Sequence, residues 1–225
     1  MSIDMTIDRG VSSLGIFCYY GVAEDITVEK GRVDLKEYVK SLINNSLSTY
    51  NLDRIKDIPI IRSYRDVMWR LGIDPTKIRV SSEALLRRAV RSNSLPSVNN
   101  VVDSCNIASL ETLVPISVFD FNKVTPPLTL RFAKLGEEII DVDDNVRGLK
   151  GGEVVLSDSR NILHLYPHRD SKLTSVDLNT KNVLIVAYGA PGIPYMLVRD
   201  AVDKSFRYLS MFCYGRRFSE VFKVV

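Results

Sequence analysis

The sequence predicts an α+β fold, with a helix-rich first half and a strand-rich second half in one domain. Before residue 100, apolar residues recur at helical spacing in three separate stretches. From Leu128 onward the texture changes to short β-branched runs divided by Gly or Asp/Asn turns. The strands follow one another without intervening helices, which argues against a doubly wound βαβ sheet. A chain of 225 residues suits one domain with a sizeable core, and no repeat or break in composition demands two. The expected organisation is a single domain over 1–225, with residues 1–80 as an N-terminal extension packing on a core of 82–215.

Leu14–Tyr20 (LGIFCYY) has the content of a buried strand, set off by Gly21. Leu35–Leu47 carries apolar residues at Leu35, Val39, Leu42, Ile43 and Leu47, with Asp34 as N-cap. Ile60–Leu71 reads as a second helix ending at Gly72, and Ala84–Ser92 as a third, with Arg87, Arg88 and Arg91 in the last turn complementing its dipole. Ser104–Leu113 reads as a short helix capped by Asp103 and stopped by Pro115. Ile116–Phe119 follows as a strand, and its wholly apolar partner Val183–Tyr188 is expected in the same sheet. Between them come strands at Leu128–Ala133, Glu138–Val142, Val146–Leu149, Val154–Leu156 and Ile162–Leu165. Asp143-Asp144-Asn145 and Lys150-Gly151-Gly152 form turns. Ile193–Leu209 reads as a final helix.

Composition excludes several classes. The chain is 45% hydrophobic and 25% charged, as in ordinary globular proteins. No run reaches transmembrane length, and MSIDMTIDRG has acids where a signal peptide needs an apolar region. Three widely spaced cysteines without a CxxC pair and only two histidines argue against a metal site and for a reducing cytoplasm. Gly151-Gly152 and Gly189–Gly192 do not match a phosphate-binding loop, so no cofactor is expected. The net charge of +3 is compatible with a nucleic-acid partner. The basic residues are densest at Arg62, Arg65 and Arg70 beside Trp69, and at Lys77, Arg79, Arg87, Arg88 and Arg91. Cations beside an aromatic can hold an RNA backbone and stack a base.

The stretch Pro96–Asp120 reads PSVNNVVDSCNIASLETLVPISVFD. Its order, N-x-V-V-D-x-x-N-(x)4-E-(x)3-P-(x)3-F-D, is carried by Asn99 or Asn100, Val101, Val102, Asp103, Asn106, Glu111, Pro115, Phe119 and Asp120. It resembles the tRNA-editing domain of the phenylalanyl-tRNA synthetase beta subunit, the B3/B4 domain. Leu130-Arg131-Phe132-Ala133 with Gly136-Glu137-Glu138 resembles that family's V-R-x-A-x-x-G-E, and the likeness runs over roughly Ser82–Gly189. Three positions depart from the family pattern. Cys105 stands where the family carries Thr, Ser117 where it carries His, and Val183–Ala187 is apolar where a Glu reads a tyrosine hydroxyl.

The resemblance implies an editing pocket. Its expected catalytic groups are Asp103, Asn106, Ser117 and His168, with Cys105, Glu111, Asp170 and Ser171 around the substrate. His168 lies in the polar loop Tyr166–Ser171, whereas His164 alternates with Leu163 and Leu165 and reads as the polar face of a strand. Arg87, Arg88, Arg91 and Arg169 are expected to touch RNA. The function this implies is hydrolysis of misacylated aminoacyl-tRNA in trans. The partners would be tRNA and its small amino-acid moiety, with no membrane, metal or cofactor. A non-catalytic RNA-binding or regulatory module, and a binder or hydrolase of a small amino-acid-like ligand, stand beside it.

Overall fold

The computed structural model describes residues 3–44 and 50–225. It is mixed α+β, as the sequence predicts. The first sheet takes β1 (Met5–Ile7), β4 (Leu128–Phe132), β7 (Val154–Ser157), β8 (Ile162–Leu165) and β9 (Arg169–Asp170), in that order. Its β1 runs parallel to β4, and the remaining pairs are antiparallel. The second sheet is antiparallel, with β10 (Val183–Gly189) between β2 (Phe17–Glu24) and β3 (Ile116–Asp120). Two short C-terminal strands, β11 (Arg217–Phe218) and β12 (Phe222–Val224), also pair with β2. The hairpin of β5 (Glu138–Ile140) and β6 (Val146–Gly148) stands apart. Ile116–Phe119 and Val183–Tyr188 thus share a sheet, and every residue of β10 is buried.

In-register partners in an antiparallel pair point to the same face. Gly21 lies opposite Ile185, and that face is covered by α6 (Tyr195–Cys213), which in turn packs on α5 (Asn100–Thr112). The other face carries Ser117, opposite Val186, and Tyr188 two residues on; it looks toward the first sheet. Apolar residues of both sheets and α5/α6 form one core. A smaller core lies among α2 (Val33–Leu42), α3 (Pro59–Arg70), α4 (Ser81–Ser92) and α5.

Two elements, β2 and α5, differ from the sequence expectation. The β2 strand runs straight through Gly21, because a Cβ there would meet Phe206 Cζ at 2.4 Å. The glycine admits the α6 ring and does not end the strand. The helix expected over Leu35–Leu47 is seen as α2 over Val33–Leu42, and Leu47 lies outside the described residues. The α5 helix starts earlier than expected, with Asn99 as its cap, accepting from the N–H groups of Val101 (3.1 Å) and Val102 (2.9 Å). Asp103 therefore sits inside the first turn and reaches back to the Val98 N–H (2.9 Å) and the Ser97 hydroxyl (3.2 Å). Finally, residues 1–80 give β1 to one sheet and the interior strand β2 to the other, so they are woven into both.

Candidate functional site

β3 is an edge of the second sheet and β9 an edge of the first. Where they face each other, three polar side chains meet. The Ser117 hydroxyl donates to Asp170 Oδ1 at 2.6 Å, and His164 Nδ1 lies 2.8 Å from the same oxygen. Ser117 Oγ is also 3.2 Å from His164 Nδ1. The His164 ring stacks on Tyr188, with centroids 4.5 Å apart and planes 11° from parallel. Ser117 and His164 are 1% and 2% exposed, while the Asp170 side chain keeps 35% exposure, so the cluster opens to solvent through its carboxylate.

The local sequence explains the meeting. The residues Tyr166–His168 turn the chain between β8 and β9, which puts Asp170 in register with His164 and Arg169 with Leu165. Alternation then sends Asp170 toward Ser117 and Arg169 the other way, to the carboxylates of Asp141 (3.0 Å) and Asp143 (3.2 Å). In a neutral imidazole whose Nδ1 donates to Asp170, Nε2 carries the lone pair. His164 Nε2 is buried without a hydrogen-bond partner, and the buried Tyr188 hydroxyl lies beside Ser117 and Asp170. Such groups cost free energy unless a ligand or water satisfies them. Ser117 sits at the Nδ1 side of the ring, away from the free Nε2. The geometry is therefore not that of a serine nucleophile activated by histidine.

A second feature lies beyond β9. A cavity of about 620 Å³ is walled by α4, the loop before it, and the His168–Arg169 stretch. Its lining includes seven cationic residues (Lys77, Arg79, Arg87, Arg88, Arg91, Arg147, Arg169) and no Asp or Glu. They differ in freedom. Arg87 is tied to the buried Glu83 (2.8 Å) and the Leu52 carbonyl (2.9 Å), and Arg65 of α3 holds the other side of Glu83 at 3.1 Å. Arg147 and Arg169 clamp Asp141, which is buried and held well below the usual carboxylate range, chiefly by its hydrogen bond from Arg147. Arg79, Arg88 and Arg91 make no ion pair among the described residues. His168 lines this cavity with Nδ1 buried and unpartnered. Burial, reinforced by its neighbours His164, Arg169 and Arg147, lowers its pKa to about 4.

The sequence-predicted residues therefore separate into groups. Ser117 and Asp170 come together, joined by His164, which strand alternation had suggested was an outward polar residue. Its burial comes from the second sheet covering that face. His168 and Arg169 belong to the basic cavity with Arg87, Arg88 and Arg91; neither Asn106 nor Ser117 lines it. Asn106 is half-buried on α5, outside the Ser117 hydrogen bonds. Asp103 lines a different pocket of about 260 Å³ with Leu35, Val39, Lys36 and Leu95, and burial raises its pKa. Cys105 is buried, its thiol pushed up by desolvation, so it is no ready nucleophile. Glu111 pairs with Lys204 at 3.0 Å, and Ser171 accepts from the Leu173 N–H at 3.2 Å to shape the turn after β9. Trp69 is 55% exposed on α3, available as a surface aromatic. Among the described residues no group of His, Cys, Asp or Glu is arranged to hold a metal ion, and no helix is long and apolar enough to cross a membrane.

Two facing sheets flanked by a helix pair define an α+β domain of the kind found in the beta subunits of phenylalanine–tRNA ligases. A solved N-terminal fragment of the phenylalanyl-tRNA synthetase beta subunit from Pyrococcus horikoshii shares the fold with a TM-score of 0.53 at 14% identity, over 99% of this chain and 54% of that one. The B3/4 domain family matches residues 63–196, more than half of the sequence, and the chain belongs to that family. The phenylalanine–tRNA ligase beta subunit of Fusobacterium nucleatum is 34% identical over 120 residues, 53% of this chain and 15% of that protein. The corresponding subunit of Carboxydothermus hydrogenoformans is 28% identical over 190 residues, 83% of this chain and 22% of that protein. The chain thus matches less than a quarter of the length of these relatives.

Proposed function

We propose that this protein is an editing-type domain that binds the aminoacylated end of a tRNA and hydrolyses a wrongly attached aminoacyl ester in trans. The single observation that carries the reading is the placement of β9. On successive residues this edge strand supplies Arg169 to the basic cavity and Asp170 to the Ser117–His164 cluster, so one two-residue strand joins the proposed phosphate site to the polar cluster. Family membership adds weight, since the relatives are named for acting with tRNA.

An aminoacyl ester is labile, and a positioned water with a fixed acceptor suffices for its hydrolysis. Asp170 orients the His164 ring through Nδ1. The free Nε2 takes a proton from water as its oxygen attacks the ester carbonyl, and the proton passes to the departing ribose hydroxyl. Ser117 fixes the Asp170 carboxylate and is a positioning residue, and stacking on Tyr188 prevents the ring from turning. β10 is apolar apart from Tyr188, which suits a mostly apolar amino-acid moiety. The proposed setting is the cytoplasm.

The burial of Ser117 and His164 favours a second reading, a non-catalytic RNA-binding module in which the cluster only joins the two sheets. Single-turnover deacylation of a panel of mischarged tRNAs separates the two. Turnover by the parent chain, with His164→Ala reducing the rate by about 10²–10⁴-fold, is the expected result. No turnover with any member of the panel, or equal rates for parent and variant, overturns it.

A further inference from the structure

We infer that the basic cavity is a terminal-phosphate site, built for the clustered charge of a phosphomonoester or diphosphate end and not for the evenly spaced diesters of an RNA strand. The shape carries this. A backbone-tracking surface presents its cations along an open groove, each facing one phosphate. Here Arg79, Arg88 and Arg91 converge with Lys77 on one concave space of about 620 Å³. Arg88 and Arg91 are a helical turn apart on α4, and the cavity follows that helix from Ser81 and Ala84 in its first turn to Ser92 at its end.

Local neutralisation sharpens the point. The acids nearby are already taken: Glu83 by Arg65 and Arg87, Asp141 by Arg147 and Arg169. Three guanidinium groups are left without a carboxylate partner among the described residues. A terminal phosphate carries about −1.5 to −2 charge near pH 7 and three acceptor oxygens, which matches several forked donors better than a singly charged diester does. The neutral His168, whose buried Nδ1 has no partner, adds a hydrogen-bonding group on the wall that does not depend on charge. A terminal phosphate of this kind could sit on the 5′ end of an RNA or on a free nucleotide. Assigning it to an RNA 5′ end, beside the 3′ end that bears the ester in a tRNA acceptor stem, rests on the editing reading. The preference for clustered charge does not.

The test uses the full chain and one acceptor-stem RNA hairpin made with either a 5′-monophosphate or a 5′-hydroxyl, titrated at fixed salt by fluorescence anisotropy. Inorganic pyrophosphate and a nucleoside diphosphate serve as competitors. The 5′-phosphorylated hairpin is expected to bind about tenfold more tightly. That gap should close in the double variant Arg88→Ala/Arg91→Ala, whose side chains are exposed and unpaired, so that loss of folding is not the cause. Equal affinity for the two hairpins, or a gap unchanged in the double variant, overturns the inference while leaving the editing reading in place. If neither hairpin binds but pyrophosphate or the diphosphate binds the parent and not the variant, the terminal-phosphate site stands and the editing reading falls. If no phosphate compound binds, both fall.

Discussion

The basic cavity and the inter-sheet cluster lie on opposite sides of one two-residue strand, β9, and they handle charge in opposite ways. In the cavity, cations gather with no acid facing them, and their fields add outward. In the cluster, one carboxylate is satisfied by a hydroxyl and an imidazole, and the field is spent locally. The first arrangement attracts an anion over a distance set by salt screening, and the second can act only on what reaches it. One region recruits, and the other positions. The difference also shows in how each is built. The cavity rests on buried ion pairs at Glu83 and Asp141, whereas the cluster rests on sheet register and a ring stack.

The largest expected effect comes from removing the ion-pair foundation of the cavity. Glu83 is fully buried and accepts from both Arg65 and Arg87. Glu83→Ala leaves two mostly buried guanidinium groups without a counter-charge, at a cost of about 3–5 kcal/mol. Urea denaturation should report that loss. Glu83→Gln retains acceptors and is expected to recover part of it. A loss below about 1 kcal/mol in Glu83→Ala would mean that the cavity does not depend on this pair and that the contrast in construction is wrong.

Much of this scaffold was legible in the sequence, because short strands and their turns are written locally. All five strands expected from Leu128 to Leu165 appear, as does the pairing of Ile116–Phe119 with Val183–Tyr188. The short pairings did not show. The three residues each of β1 and β12 and the two each of β9 and β11 carry too little pattern to be distinguished from loop. The site was harder still, because it depends on which face of a strand is covered. Leu163-His164-Leu165 alternates as a half-exposed strand would, and only the second sheet, packed over the polar face, makes His164 buried. A signal was present nonetheless. Reading Tyr166–His168 as a hairpin turn places His164 opposite Asp170, a pairing of unlike polar groups that a solvent face does not require. Gly21 was misleading for a related reason: it looked like punctuation, and its purpose is to make room for Phe206, 185 residues later in the chain.

The two histidines offer a second way to sharpen the contrast, of intermediate size. His168 in the cavity wall has its pKa lowered to about 4, first by burial and then by neighbouring positive charge. The unfolded chain takes up a proton at this residue near pH ~6.5, well before the folded one does. Stability from His168 is therefore whole above about pH 6.5 and declines as pH falls toward about 4. The ceiling on that loss is about 3 kcal/mol. Replacing it with glutamine should flatten the difference in stability between pH 7 and pH 4.5 relative to the parent. Thermal melts at the two pH values provide the measurement. A variant that keeps the full slope would show that His168 is as solvated as a surface residue and that the cavity wall is wetter than its burial implies.

The smallest effect should come from Ser117→Ala, and it discriminates most finely. Asp170 would lose one of its two donors but keep His164, and its carboxylate is one-third exposed, so water can take the vacated position. The stability cost should be about 1 kcal/mol. In the water-based mechanism the rate should fall only modestly, because Ser117 holds the carboxylate that holds the base, and His164 Nε2 is untouched. The same substitution would abolish turnover if Ser117 were the nucleophile. Ser117→Thr supplies the control, since it retains a hydroxyl next to Asp170 and should restore whatever positioning was lost. Activity close to the parent in Ser117→Ala, together with the large loss in His164→Ala, would fix the division of labour within the cluster. A loss as deep in Ser117→Ala as in His164→Ala would reassign the attacking atom from water to the serine oxygen.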